Sequence, residues 1–304
     1  MAQWTAPTFL LLSAALSFTP LVASATADAT QAGVHHGHRH HHARIDPGEP
    51  QLRSNAVLVL DATHAQVLYS RRADQPRPIA SITKLLTALV VADAGLPLTE
   101  RLSISREDVA SGRGAFSRLA VGTELTRGDL MHLALMSSEN RAAHALARTY
   151  PGGVPAFVEA MNAKAKALGM SNSHFVDPTG LSSENMASAE DLSRLVAAAA
   201  DNEIVREYST DPGYAVRIGR RMVQFHNTDA LVSNPTWNIV VQKTGYITEA
   251  GRCLVMQAVI EGRTVVMVLL NSFGKNTRVA DARRIRRWME TTLARSSGLS
   301  GSKA

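Results

Sequence analysis

Pro78-Ile79-Ala80-Ser81-Ile82-Thr83-Lys84-Leu85-Leu86-Thr87-Ala88-Leu89-Val90-Val91 sets a serine and a lysine three residues apart at the head of an apolar run. The run predicts a buried helix that starts near Ser81. Three residues make about one helical turn, so the Lys84 amine falls on the same face as the Ser81 hydroxyl without any tertiary coincidence. Standing alone, the string reads more simply as an N-cap serine followed by a solvated first-turn lysine.

Two later strings change that reading. Ser138-Glu139-Asn140 forms a polar break between Leu130-Met131-His132-Leu133-Ala134-Leu135-Met136 and the helix-prone Arg141-Ala142-Ala143-His144-Ala145-Leu146-Ala147. Lys243-Thr244-Gly245 follows the β-rich Trp237-Asn238-Ile239-Val240-Val241-Gln242, and Tyr246 and two further strand-like runs come after it. Threonine and glycine beside an inner-strand lysine suit a strand against which an extended peptide lies closely. The chain also carries duplicates, Ser272-Phe273-Gly274-Lys275 and Ser183-Glu184-Asn185. Ser272 follows a strand-like run and does not open such a buried helix. Ser183 sits in a polar loop after Asp177-Pro178-Thr179-Gly180-Leu181, where a cap or turn is expected.

The order Ser-x-x-Lys, Ser-x-Asn, Lys-Thr-Gly is that of active-site serine enzymes that attack D-alanyl peptides and β-lactams. From about Leu52 to Leu293 the chain resembles the low-molecular-mass penicillin-binding proteins of the serine D-alanyl-D-alanine carboxypeptidase family. It is most similar to the branch that includes D-alanyl-D-alanine endopeptidases. Leu135 to Ala143, Phe175-Val176-Asp177-Pro178-Thr179-Gly180-Leu181-Ser182 and Gln242-Lys243-Thr244-Gly245-Tyr246-Ile247 carry the likeness.

The resemblance implies an α+β, DD-peptidase/β-lactamase-like fold: a five-stranded antiparallel sheet with flanking helices and a helical insert, the cleft lying where the helical lobe meets the sheet edge. The pattern agrees. Residues 56–60 and 66–69 read as a hairpin, 81–208 as mainly helical, 237–242, 253–260 and 264–270 as strands, and 277–294 as a closing helix.

Serine is a poor nucleophile and free lysine has a pKa of about 10.4, so Lys84 must be tuned to act as the base for Ser81. Burial and a second cation, Lys243, are both expected to favour its neutral amine. Ser138 is expected to pass a proton to the leaving amine, and Asn140 to orient Lys84 and the substrate amide. Lys243 and Thr244 are expected to hold a substrate carboxylate, with Gly245 beside them. The peptide N–H groups of Ser81 and, by resemblance, Tyr246 form the oxyanion hole. Arg252 is left outside this set because a surface ion pair explains it as well, and Glu139 is read as structural. No cofactor and no metal is called for. The expected partners are peptidoglycan stem peptides or cross-links, with β-lactams as covalent inhibitors; protein partners are not readable. Two rivals are a β-lactamase and a non-catalytic peptidoglycan-binding module. Glu184-Asn185 lacks the Glu-x-x-Leu-Asn pattern of the first, and the three intact strings argue against the second.

Residues 1–27 read as a signal peptide. An apolar stretch at 9–18 precedes Ala23-Ser24-Ala25-Thr26-Ala27, with small-residue cleavage sites after Ala25 or Ala27. No lysine or arginine precedes the stretch, and it is shorter than the ~20 residues of a membrane span. Export follows, and the resemblance to the endopeptidase branch implies the periplasm. Residues 28–51 read as a His-rich disordered linker, 52–296 as the catalytic domain and 297–304 as a flexible tail. His35, His36, His38, His40, His41 and His42 offer loose metal binding or a positive charge in acid, but a solvated tether is the simpler reading. The net charge of +6 comes from scattered arginines plus Arg283-Arg284-Ile285-Arg286-Arg287 on the last helix. No nucleic-acid motif accompanies it, so nucleic acid is rejected as a partner. Cys253 is the only cysteine, which excludes an internal disulfide and suits a core strand.

Overall fold

A computed structural model of the chain describes residues 48–110 and 117–300, with side chains of the last helix to residue 292. The segment read as a signal peptide, the His-rich tract and residues 301–304 lie outside the described residues.

Strands β1 (Ser54–Asp61) and β2 (Gln66–Arg71) make the opening hairpin. A short strand β3 (Arg77–Pro78) and a single 3-10 turn (Ala80–Ile82) lead into α1 (Thr83–Asp93). The helical insert holds β4 (Arg101–Ser103), β5 (Glu124–Thr126), α2 (Arg127–Met136), α3 (Asn140–Arg148), α4 (Gly153–Ala167), β6 (Met186–Ala187), α5 (Ala189–Asp201) and α6 (Glu203–Thr210). A hairpin of β7 (Gly213–Ile218) and β8 (Arg221–His226) follows, then β9 (Asn238–Ile247), β10 (Gly251–Ile260), β11 (Arg263–Ser272) and α7 (Thr277–Ser300). The main sheet has five antiparallel strands in the order β2-β1-β11-β10-β9. Early and late strands share this one sheet, and β9 is its edge.

The period of two along the central strands divides the interior into two cores. Ala56 and Leu58 of β1, Cys253 and Val255 of β10, and Val266, Val268 and Leu270 of β11 face the helical lobe. Their neighbours Val57, Val59, Leu254, Met256, Val265, Met267 and Leu269 face α7. Covered on both sides, these strands read as continuous apolar runs rather than alternating ones. Nine consecutive residues of α1, Thr83 to Val91, are buried, so this helix is the axis of the lobe.

Four details depart from the sequence reading. The helix behind Ser81 starts at Thr83, and Ser81 itself lies in the 3-10 turn. β9 runs on through Lys243 to Ile247, held by pairing of Lys243 with Val255, Thr244 with Leu254 and Gly245 with Cys253. The β7–β8 hairpin was not among the expected strands; it buries only Val216 and Phe225, too little to leave a clear apolar pattern. α7 reaches Ser300, into the segment read as a tail.

α7 is locked to the sheet by Asp281, which is fully buried. Its carboxylate accepts from the Arg53 and Ser54 backbone N–H groups at 2.9 and 2.7 Å, from Ser54 Oγ at 2.7 Å and from Arg284 at 2.6 Å. Ser54 Oγ in turn meets Ser272 Oγ at 2.7 Å, so the ends of β1 and β11 and the second turn of α7 share one polar knot. Asp281→Ala strands buried donors and is expected to cost about 3 kcal/mol of unfolding free energy, read as a lower urea midpoint at unchanged m-value.

Candidate active site

Ser81 is gripped by its own backbone. Ala80 has φ +51°, a conformation that costs a non-glycine residue on the order of 1 kcal/mol or more and persists only where surroundings enforce it. Two glycines from distant segments enforce it. A methyl group on Gly180 would overlap the Ala80 carbonyl and come 2.9 Å from Ser81 N. One on Gly245 would come 2.9 Å from the Ile79 carbonyl oxygen and 3.1 Å from Ser81 N. The Lys-Thr-Gly strand and the 177–182 loop therefore clamp the serine turn from two sides.

Lys84 is wholly buried, and its Nζ lies 2.9 Å from Ser81 Oγ, 2.8 Å from Asn140 Oδ1 and 2.6 Å from the Thr179 carbonyl oxygen. Burial brings its pKa down to about 7, against the pull of the Asp177 and Glu139 carboxylates. A neutral amine has two N–H donors and one lone pair. Asn140 Oδ1 and the Thr179 carbonyl can only accept, so they take the two donors and leave the lone pair for the Ser81 hydroxyl proton. The Thr179 carbonyl was given no role in the sequence reading. Its position is fixed by Asp177, whose oxygens accept from Thr179 N, Thr179 Oγ1, Gly180 N and Ser182 N at 2.6, 2.6, 2.8 and 3.0 Å.

Ser138 sits in the corner between α2 and α3 with φ +61°, half-buried, and Asn140 opens α3. Glu139 is buried, and its Oε1 accepts from the Arg118 backbone N–H at 3.0 Å. It holds a neighbouring loop and also biases Lys84 toward the proton. The duplicate strings fall elsewhere. Ser272 ends β11 in the Asp281 knot. Asn185 is fully buried and donates to Thr83 Oγ1 at 3.1 Å and the Asp177 carbonyl at 2.9 Å, bracing the 177–182 loop against α1.

Lys243 is wholly buried; its Nζ donates to the Thr244 carbonyl at 3.0 Å, and Thr244 Oγ1 meets Thr228 Oγ1 at 2.6 Å. Burial first, then the Lys84 and Arg278 charges, push its pKa well below the usual lysine range, opposed by Asp229. Each ammonium disfavours the charge of the other, so their mutual repulsion adds to burial in lowering the proton affinity of the pair.

Arg278, in the first turn of α7, was missed from the sequence. Its Nε and one terminal nitrogen are buried without a hydrogen-bond partner among the described residues, and so is Asp229 Oδ2. Arg278 and Lys243 both act electrostatically on Asp229, whose pKa burial raises. A guanidinium with unused donors beside the Lys243 amine suits an anion, whose charge would favour the ammonium form of Lys243. Nothing local in the sequence marks Arg278; only the β9–β10–β11 register followed by α7 brings it to Lys243. Tyr246 is 55% exposed on β9, and the Arg252 guanidinium lies 4.5 Å over its ring, which accounts for Arg252. Among the described residues, no group of three or more His, Cys, Asp or Glu is placed to hold a metal ion.

The sequence profile of the D-alanyl-D-alanine carboxypeptidase family matches residues 43–274. The chain belongs to that family. It is 51% identical to a D-alanyl-D-alanine endopeptidase of Pseudomonas aeruginosa across 81% of this chain and 80% of that one. It is 42% identical to a D-alanyl-D-alanine endopeptidase of Escherichia coli across 93% and 87% of the two chains. Among solved structures, the Streptomyces K15 DD-transpeptidase matches 79% of this chain and 98% of its own with a TM-score of 0.72 at 28% identity. A D-alanyl-D-alanine carboxypeptidase of Mycobacterium tuberculosis matches 80% and 92% with a TM-score of 0.73 at 27% identity. This member of the family is a serine peptidase with the α+β fold that its sequence implied. Gly180→Ala is expected to shift the serine turn and slow penicillin acylation on the order of 100-fold while far-UV circular dichroism stays unchanged.

Proposed function

We propose that this peptidase is exported and cleaves D-alanyl links in peptidoglycan cross-links through an acyl-enzyme on Ser81. The observation that carries the reading is the buried Lys84 amine, held so that its lone pair meets the Ser81 hydroxyl. Lys84 takes the proton as Ser81 Oγ attacks the D-alanyl carbonyl. The developing oxyanion is met by the Ser81 and Tyr246 N–H groups, each such donor contributing on the order of 3 kcal/mol. Ser138 relays the proton to the leaving amine, and water then hydrolyses the ester, returning Ser81.

The leaving amine in a free stem peptide and in a cross-link stands on a carbon that also carries a carboxylate. Lys243, Thr244 and Arg278 suit that carboxylate in either case, and its arrival supplies the counter-charge that restores the Lys243 ammonium. The endopeptidase reading is supported by the relatives at 51% and 42% identity. A β-lactamase needs a further base to clear the acyl-enzyme quickly. In the 177–185 loop Glu184 is exposed, and Asp177 uses both oxygens on its own loop, which disfavours that rival.

Digestion of purified sacculi beside a Ser81→Ala control tests the reading. Loss of cross-linked dimers is expected. Loss of terminal D-alanine alone would make the chain a carboxypeptidase, and rapid repeated turnover of penicillin would make it a β-lactamase. The acylation rate is expected to rise with pH through about 7, where Lys84 loses its proton, and to level off above. In Asn140→Asp a carboxylate beside Lys84 favours the ammonium, so the midpoint should move up by roughly 1 to 3 units.

A further inference from the structure

α7 carries four arginines over two turns, and they are not equivalent. Arg284 is paired with Asp281 at 2.6 Å and Arg286 with Glu290 at 2.7 Å. Arg283 and Arg287, one turn apart on the same face, are exposed and form no ion pair among the described residues. They line a groove of about 590 Å³ whose opposite wall is Asn234, Thr236 and Trp237, the residues that lead into β9. Arg286 props that wall: its guanidinium lies 5.3 Å from the Trp237 ring centre and donates to the Thr236 carbonyl.

The reaction at Ser81 does not use this groove, because Lys243 lies about 20 Å further along the strand from Trp237. The two places are nonetheless continuous. Both are built on the edge strand β9 and on α7, and Asp229 feels the charge of Arg283 as well as those of Lys243 and Arg278.

We propose that this groove is a second subsite, which holds a carboxylate-bearing stretch of the peptidoglycan polymer away from the bond being cut. The proposal rests on the wall-peptidase reading above. Exposed guanidinium groups recognise carboxylates, while Thr236 Oγ1, which donates to Asn234 Oδ1 at 2.9 Å and accepts from Arg286 at 3.2 Å, fixes the facing wall. A concave site with its tryptophan covered by a guanidinium fits a polymer strand better than a flat lipid surface.

Full-length Ser81→Ala protein, which binds without digesting, is sedimented with purified sacculi at low and high salt. Adding R283E/R287E is expected to weaken low-salt binding about tenfold and flatten its salt dependence. R283A/R287A, which removes charge without adding repulsion, is expected to weaken it about threefold. R220E/R221E, the same change of net charge at the β7–β8 turn, is expected to bind like the parent. In protein that keeps Ser81, R283E/R287E should be acylated by labelled penicillin at the parent rate. Unchanged sacculus binding, equal loss in R220E/R221E, or a loss seen only with phosphatidylglycerol vesicles would each overturn the proposal. Absence of acylation in the unmutated protein would instead overturn the peptidase reading.

Discussion

The buried amine of Lys84 is the constraint on which the cleft depends. A wholly buried ammonium without partners is too costly to hold, so the site must either satisfy the amine with acceptors or discharge it. Here it does both in part. Three oxygens, from the serine turn, from the start of α3 and from the 177–182 loop, converge on one nitrogen, while burial brings its proton affinity near neutrality. Because those oxygens come from separate parts of the chain, the amine reports on whether the whole lobe is correctly assembled. The same convergence explains the backbone strain on either side of it. Ala80 and Ser138 both adopt positive φ, and each lies next to a group that must face the cleft rather than its own helix.

The sheet supplies the rigid half of the site. Its central strands are packed on both faces, so β9 offers a fixed edge on which Gly245 reaches the serine turn and Lys243 reaches the helical lobe. α7 is more than a cover for the second face. Asp281 ties its second turn to the ends of β1 and β11, and that tie sets where Arg278 points one turn earlier. The guanidinium charge that Lys243 feels is therefore a product of packing on the far side of the sheet.

The three short strings were legible because their chemistry is local: a serine and a lysine one turn apart, a polar corner between helices, a lysine and a glycine on one strand. The central strands and α7 were legible from apolar runs and their lengths. What escaped has a physical reason in each case. Thr179 acts through a backbone carbonyl, which no side-chain pattern encodes. Arg278 becomes a site residue only through strand register. Asn185, dismissed as part of a turn, proves to be a buried brace, since its role depends on Thr83 across the lobe.

The most direct test of this account is the proton affinity of Lys84 itself. It can be followed by NMR of protein with lysine labelled at Cε, the Lys84 signal being assigned by its loss in Lys84→Arg. A midpoint near 7 in the unacylated protein is the predicted result. A midpoint near the free-lysine value of about 10.4 would contradict it, because the amine would then hold its proton at neutral pH and have no lone pair for Ser81.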